Sequence, residues 1–104
     1  MQPRAAAIAA AETPSAVLAT LMGRWRCADP WDKRSGEYDY GRDGVLQVIW
    51  GRKGGIRTPY RVEGMSVRYN ARGEQVTLQI ESISTGRMVQ YFDSGLRLSC
   101  ERMQ

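Results

Sequence analysis

The side chains that most often carry out catalysis are scarce in this sequence. It contains no histidine, which removes the commonest general base and a frequent zinc ligand. Serine–histidine and cysteine–histidine nucleophiles are therefore excluded. The two cysteines, Cys27 and Cys100, are too far apart for a C-x-x-C redox motif, and the sequence has no Walker or dinucleotide-binding loop. These features are typical of a protein without catalytic activity.

Carboxylates are the remaining candidates for acid–base chemistry. The acidic residues considered are Asp29, Asp32, Glu37, Asp39, Asp43, Glu63, Glu81 and Glu101. Most of them alternate with apolar residues, a pattern typical of the solvated face of a β-sheet rather than of a carboxylate pair in a cleft. We therefore expect a protein that is not an enzyme, with no metal site and no cofactor.

Basic residues form one distinctive loop. The net charge of +4 is carried almost entirely by arginine, and acidic residues are interspersed along the chain, which argues against a nucleic-acid-binding protein. In GRKGGIR, residues 51–57, glycine N–H groups beside Arg52, Lys53 and Arg57 are suited to a phosphate or carboxylate. The alternative is a flexible hairpin tip. In YRVEGMSVRYN, residues 60–70, alternation puts tyrosines and arginines on opposite faces, so no single surface combines base stacking with charge.

An alanine-rich segment precedes the predicted domain. Residues 1–12 have a basic start, a short apolar run and an A-x-A pattern, which predict part of an export signal or a disordered arm. The domain covers residues 13–104 and starts with a short helix, with Thr13 as N-cap, Pro14 at the first helical position and Gly23 after its end. No apolar run approaches the roughly 20 residues that a membrane-spanning helix needs.

From Trp25 onward, apolar residues recur with a period of two and turn residues recur at short intervals, which predicts antiparallel strands. The predicted strands are residues 24–28, 36–42, 45–50, 58–63, 66–70, 75–83, 87–92 and 96–102. The connections, such as RDG, ARG, STG and DSG, are short and rich in turn formers. Consecutive strands are therefore expected to be neighbours in the sheet.

Alternation assigns one apolar face to each strand. The residues predicted to point inward are Trp25, Tyr38, Tyr40, Leu46, Val48, Trp50, Tyr60, Val62, Val67, Tyr69, Val76, Leu78, Ile80, Val89, Tyr91, Leu96, Leu98 and Cys100. The polar residues between them, including Gln90, are expected to face solvent. We predict an all-β fold: a single up-and-down antiparallel β-barrel of about eight short strands, preceded by one short N-terminal helix.

Closure of this barrel brings the two cysteines together. The first and last strands of an eight-stranded up-and-down barrel pair antiparallel, and a register that places Cys27 opposite Cys100 also places Trp25 opposite Arg102. Directly opposed Cα atoms can be about 4.5 Å apart, which a disulfide tolerates. The sequence favours a disulfide here, and the alternative is a pair of free buried thiols.

The motif Gly23-Arg24-Trp25 after a short helix, together with Arg102 at the end of the last strand, resembles the lipocalin-like superfamily. The resemblance extends over the hairpins from Gly23 to Arg102. It implies that Arg102 lies over Trp25 and seals one end of the barrel. The chain is much shorter than a full lipocalin and has no long loop that would form a lid.

Two functions follow from these patterns. The first is a small exported protein, periplasmic or secreted, that binds a small apolar or aromatic ligand at the barrel mouth. Its predicted wall consists of Tyr38, Tyr40, Trp50, Tyr60 and Tyr69. An eight-stranded barrel is only just wide enough to be filled by side chains or to hold one small ligand.

The second function is a filled barrel that acts as a protein-interaction module, such as an inhibitor or envelope protein. Its contacts would be Arg52, Lys53 and Arg57, with Trp31 as an aromatic anchor. Partners are therefore a small apolar ligand or a protein, with no nucleic acid and no membrane span, and the expected state is a monomer or weak dimer.

Overall fold

The computed structural model describes residues 17–29, 35–51 and 55–103. A short helix, α1, covers residues 17–21 and precedes a closed barrel in which each strand pairs antiparallel with the next. The strands are β1 (Gly23–Ala28), β2 (Ser35–Tyr40), β3 (Val45–Trp50), β4 (Gly55–Glu63), β5 (Ser66–Ala71), β6 (Glu74–Ile83), β7 (Arg87–Phe92) and β8 (Arg97–Arg102). The predicted fold class is confirmed. The first residues of the predicted helix lie outside the described residues.

Tight hairpins make the up-and-down order possible. Between β5 and β6, Arg72 and Gly73 both have positive φ, 53° and 87°, as a two-residue type I′ turn requires. Between β3 and β4 the barrel needs a glycine for a different reason. A Cβ at Gly55 would lie 1.6 Å from the carbonyl oxygen of Val48, so only glycine allows this close approach of the two strands.

The two ends of the barrel differ. We call the end at which β1 begins and β8 ends the lower end, and the opposite end the upper end. Leu21 of α1 is completely buried and belongs to the same core as the strand residues. The helix therefore closes the lower end by packing an apolar side chain onto the barrel core.

No helix among the described residues is long and apolar enough to cross a membrane.

The closing register is the predicted one. Cys27 lies opposite Cys100 and Trp25 lies opposite Arg102 where β1 pairs with β8. The two cysteines form a disulfide with a Cα–Cα distance of 4.0 Å, and both are buried. The disulfide prediction is confirmed, and the bond joins the two strands that close the barrel.

Strand β7 faces the other way from the prediction. Met88 and Gln90 are buried, with 1% and 0% exposed area, whereas Tyr91 is 37% exposed. The pairing of β6 with β7 contains an irregularity between Ile80 and Ser82. At this point Glu81 and Ser82, two successive residues of β6, are both exposed, as in a β-bulge. The prediction that Val89 and Tyr91 point inward and Gln90 outward was therefore wrong.

Two smaller differences concern the ends of strands. Leu96 was predicted to point inward from the last strand, but it lies before β8 and is 38% exposed. Its carbonyl accepts the backbone N–H of Phe92 in the turn. Arg57 was placed in the basic loop, but it is an exposed residue of β4 opposite Gln47 of β3. Strand β4 starts earlier than predicted because Gly55 and Ile56 already pair with β3.

Candidate functional site

The lower end of the barrel is sealed by Trp25 and Arg102. The guanidinium carbon of Arg102 lies 4.2 Å from the centre of the Trp25 ring, a distance at which a cation is attracted to the aromatic face. The indole Nε1 of Trp25 donates to the carbonyl of Leu21 at 2.8 Å. The arginine–tryptophan contact implied by the resemblance is therefore present, and it is connected to the end of α1.

The same guanidinium binds main-chain carbonyls around the seal. It donates to Met22 at 2.9 Å, to Thr85 at 2.6 Å, and to Thr20. Gly23 makes room for it, because a Cβ there would lie 2.5 Å from Arg102 Nη1 and the glycine has φ 123°. The spacing Gly-x-Trp thus has a physical basis: the glycine admits the arginine that covers the tryptophan.

The centre of the barrel contains a polar network among apolar residues. The Tyr40 hydroxyl donates to Oε1 of Gln90, and Nε2 of Gln90 lies 3.8 Å from Sγ of Cys27. The ring of Tyr40 also stacks on Tyr38 and meets Tyr60 edge-on, with centroid distances of 6.2 Å and 5.3 Å. Gln90 was missed by sequence reasoning, although a buried tyrosine hydroxyl requires a partner.

Burial keeps the inner tyrosines neutral. It raises the pKa of Tyr38 and of Tyr40 far above the ordinary value, and nearby tyrosines raise both further. Burial also raises the pKa of Tyr60 and of Tyr69, although the hydrogen bond from Tyr38 acts in the opposite direction on Tyr69. These hydroxyls therefore stay protonated at pH values at which a free tyrosine already ionises.

Among the described residues, the strand ends at the upper end carry apolar side chains that are only partly buried. They pack against the core and are Trp50, Ile56, Ala71, Val76 and Phe92. The Trp50 ring packs against the backbone of Gly36, where a Cβ would lie 2.1 Å from ring atom Cε3. The upper end therefore presents a fixed aromatic ring among smaller apolar groups.

The barrel wall separates on one side of this upper end. Strands β4 and β5 stop pairing above Tyr60 and Tyr69, and the start of β4 pairs with β3. Tyr60 donates its backbone N–H to Gly44 at 3.0 Å, on the β3 side. Successive N–H groups of a strand point to opposite neighbours, so the nitrogen of Pro59 faces β5. Because proline has no N–H to donate, the ladder with β5 ends there.

A pocket of about 430 Å³ lies at this separation. Its lining includes Pro59, Arg61, Arg68, Asn70 and Gln75, together with Tyr60 and Tyr69. The pocket is therefore lined both by side chains on the outer face of the barrel and by residues that alternate toward its interior. Among the described residues, no group of three or more histidine, cysteine or acidic side chains is arranged to hold a metal ion.

The predicted wall residues occupy different positions. Tyr38 and Tyr40 lie in the packed core, 5% and 0% exposed, and Tyr69 is 7% exposed. Tyr60 is half-buried, and its hydroxyl donates to the carbonyl of Gly41 at 2.9 Å. Of the five, Trp50 alone lies on the upper end of the barrel, as the last residue of β3, whereas Tyr40 ends β2 at the lower end. Their contact with a ligand stays a prediction.

The predicted interaction loops are mostly outside the described residues. This applies to Trp31, Arg52 and Lys53. Only Arg57 is described, and its position on β4 separates it from the loop to which it was assigned. The role of these four residues in binding a partner therefore stays a prediction.

Comparisons with family models, curated proteins and solved structures found no match to this chain.

Proposed function

We propose that this protein is a small ligand-binding barrel that holds an apolar or aromatic molecule at its upper end. The observation that carries the proposal is the difference between the two ends. The lower end is closed by α1, Trp25 and Arg102, whereas the upper end carries half-buried apolar side chains around Trp50. A ligand bound there would gain about 25 cal/mol of binding free energy for each Å² of apolar surface that is removed from water.

The packed interior restricts the depth of binding. The side chains of Tyr38, Tyr40 and Gln90 fill the middle of the barrel and bond with one another or with neighbouring residues. The ligand therefore lies on the core rather than within it. Trp50, Ile56 and Phe92 form its wall in this proposal, and Tyr38 and Tyr40 support the wall from below.

The proposal includes an oxidising compartment, periplasmic or secreted. Its support is the disulfide between Cys27 and Cys100, since such bonds persist mainly in exported proteins. In this compartment the barrel would act as a carrier or sensor of a small compound rather than as an enzyme.

The proposal is tested by titration with Nile red, an uncharged apolar fluorophore. Trp50→Ala is expected to weaken binding by roughly tenfold, the order of one large apolar contact. Ile49→Ala is the matched control, because Ile49 is 38% exposed on the outer face beside Trp50. A second pair is Phe92→Ala with Tyr91→Ala, since Tyr91 is also exposed on the outside. Equal effects of the inner and outer variants in both pairs would contradict binding at the upper end.

The second candidate function is a protein-interaction module. The filled interior favours it, because a barrel without a deep cavity uses its outer surface and loops for recognition. This function predicts that Nile red does not bind and that charge reversal at Arg52 and Lys53 removes a protein partner from a pulldown. Retention of the same partners and salt dependence after charge reversal would contradict it.

A further inference from the structure

Two arginines face each other on the outer surface where the wall separates. Arg61 of β4 lies directly opposite Arg68 of β5, and like charges in directly opposed positions destabilise a sheet. Arg68 is paired with Glu63, with Nη1 and Oε1 3.2 Å apart. Arg61 has no ion pair with any residue in the described part of the chain. Among the described residues, a carboxylate therefore balances only one of the two positive charges.

The pocket beside these arginines is an open depression with a mainly polar lining. Its volume of about 430 Å³ leaves room for a small molecule, and its polar lining suits a charged ligand rather than an apolar one. Asn70 and Gln75 add side-chain amides to the two guanidinium groups. These groups together offer several N–H donors from three adjacent strands, β4, β5 and β6, while Pro59 keeps the wall above them open.

We infer that Arg61 and Arg68 form a second site, on the outside of the barrel, which binds the carboxylate of a small organic acid. Two guanidinium groups and the single carboxylate of Glu63 leave one positive charge, which one monoanion balances. Glu63 already illustrates the contact, because its carboxylate lies on one of the two arginines. A guanidinium binds a carboxylate through paired N–H donors, which gives direction as well as charge.

This site is independent of the upper-end site in the proposed function. It requires neither Trp50 nor any other apolar residue of the upper end. The ligand contacts are charged and partly exposed, so binding is expected to weaken with salt. Low ionic strength is therefore the appropriate condition for the test.

The test is an NMR titration of the whole protein with benzoate, with benzamide as the neutral compound of the same shape. Benzoate is expected to shift the Nε–Hε signals of Arg61 and Arg68 and the side-chain amide of Asn70, and to saturate. Arg61→Gln is expected to weaken this binding by about two- to fivefold, the order of one exposed charge pair. Arg24→Gln is the matched control, since Arg24 is also an exposed strand arginine with a carboxylate partner, Glu37, at 2.9 Å.

A third variant gives a prediction of opposite sign. Glu63→Gln removes the carboxylate that competes for Arg68, so benzoate is expected to bind several-fold more tightly. The inference is overturned if benzamide shifts the same signals equally, if Arg61→Gln binds benzoate as the unaltered protein does, or if Glu63→Gln weakens binding. Shifts confined to the Trp50 indole would also overturn it, while leaving the proposed function in place.

Discussion

Replacement of Arg102 by methionine tests how the lower end is closed. The side chain makes three hydrogen bonds to main-chain carbonyls and covers the ring of Trp25. Methionine keeps much of the apolar stem but can make none of these bonds. Arg102→Lys is the matched control, because it keeps the charge but lacks the planar group with several fixed donors.

The expected loss of stability follows from these contacts. One hydrogen bond to a charged group contributes about 1.5 to 3 kcal/mol, but the three bonds share one side chain and the bond to Thr85 is exposed. We count them together as about 2 kcal/mol and the cation–π contact as about 1 kcal/mol. Arg102→Met is therefore expected to lower the free energy of unfolding by about 3 kcal/mol, a large part of the roughly 5 to 15 kcal/mol of a typical domain. Arg102→Lys is expected to lose most of that amount.

The assay is urea unfolding followed by tryptophan fluorescence, together with hydrogen exchange of the Trp25 indole. The indole N–H is bonded to Leu21, so it is expected to exchange faster when the seal is removed. The reasoning is refuted if Arg102→Met costs less than about 0.5 kcal/mol, the scale of an ordinary surface substitution. It is equally refuted if lysine restores full stability or if indole exchange is unchanged.

Three further predictions concern the interior. Burial raises the pKa of Tyr38 and Tyr40 above 10.0, so the unfolded chain loses these two protons at a lower pH than the folded protein does. The free energy of unfolding should therefore fall above pH 10 by about 1.4 kcal/mol per pH unit for each tyrosine. Thermal melts at a series of pH values above 10 measure this fall, and a melting temperature that does not change with pH contradicts the prediction. Tyr40→Phe should cost about 1 to 3 kcal/mol because Gln90 keeps an unpaired oxygen. The double variant Tyr40→Phe with Gln90→Met should lose less free energy of unfolding, measured with urea, than the two single variants lose together. Additive losses would contradict a hydrogen bond between Tyr40 and Gln90. Reduction of Cys27–Cys100, 73 residues apart, should cost about 4 kcal/mol, and an unchanged melting temperature contradicts it.

The closure of the barrel could be predicted because local and long-range patterns agreed. Tight turns determine which strands are neighbours, and closure then requires the first and last strands to pair. Matched spacing in Trp25–Cys27 and Cys100–Arg102 is satisfied by one register. The disulfide, the arginine seal and the sheet order are consequences of that register.

The orientation of β7 could not be predicted from alternation. Met88 and Phe92 are apolar on one face, and Val89 and Tyr91 are apolar on the other, so the pattern does not distinguish the two. The core decides the orientation because Gln90 fits between Tyr40 and Cys27 as a hydrogen-bonding partner. The irregularity in β6 that permits this pairing has no clear signature in the sequence.

The separation of the wall did have a sequence signal. Pro59 lies within a predicted strand, and proline within a sheet marks an edge or an interruption of pairing. The direction of its nitrogen depends on the register with β3, which only the structure provides. The pocket beside Arg61 and Arg68 is therefore evident only from the folded arrangement of the strands, although both arginines were assigned correctly to the outer face.

Native mass spectrometry of the protein isolated from the cells that make it tests the ligand-binding account most directly. The account predicts a small apolar molecule that copurifies with the unaltered protein and with Ile49→Ala, and that is absent from Trp50→Ala. A bare protein mass under every extraction condition, or a bound molecule that is retained by Trp50→Ala, would contradict ligand binding at the upper end.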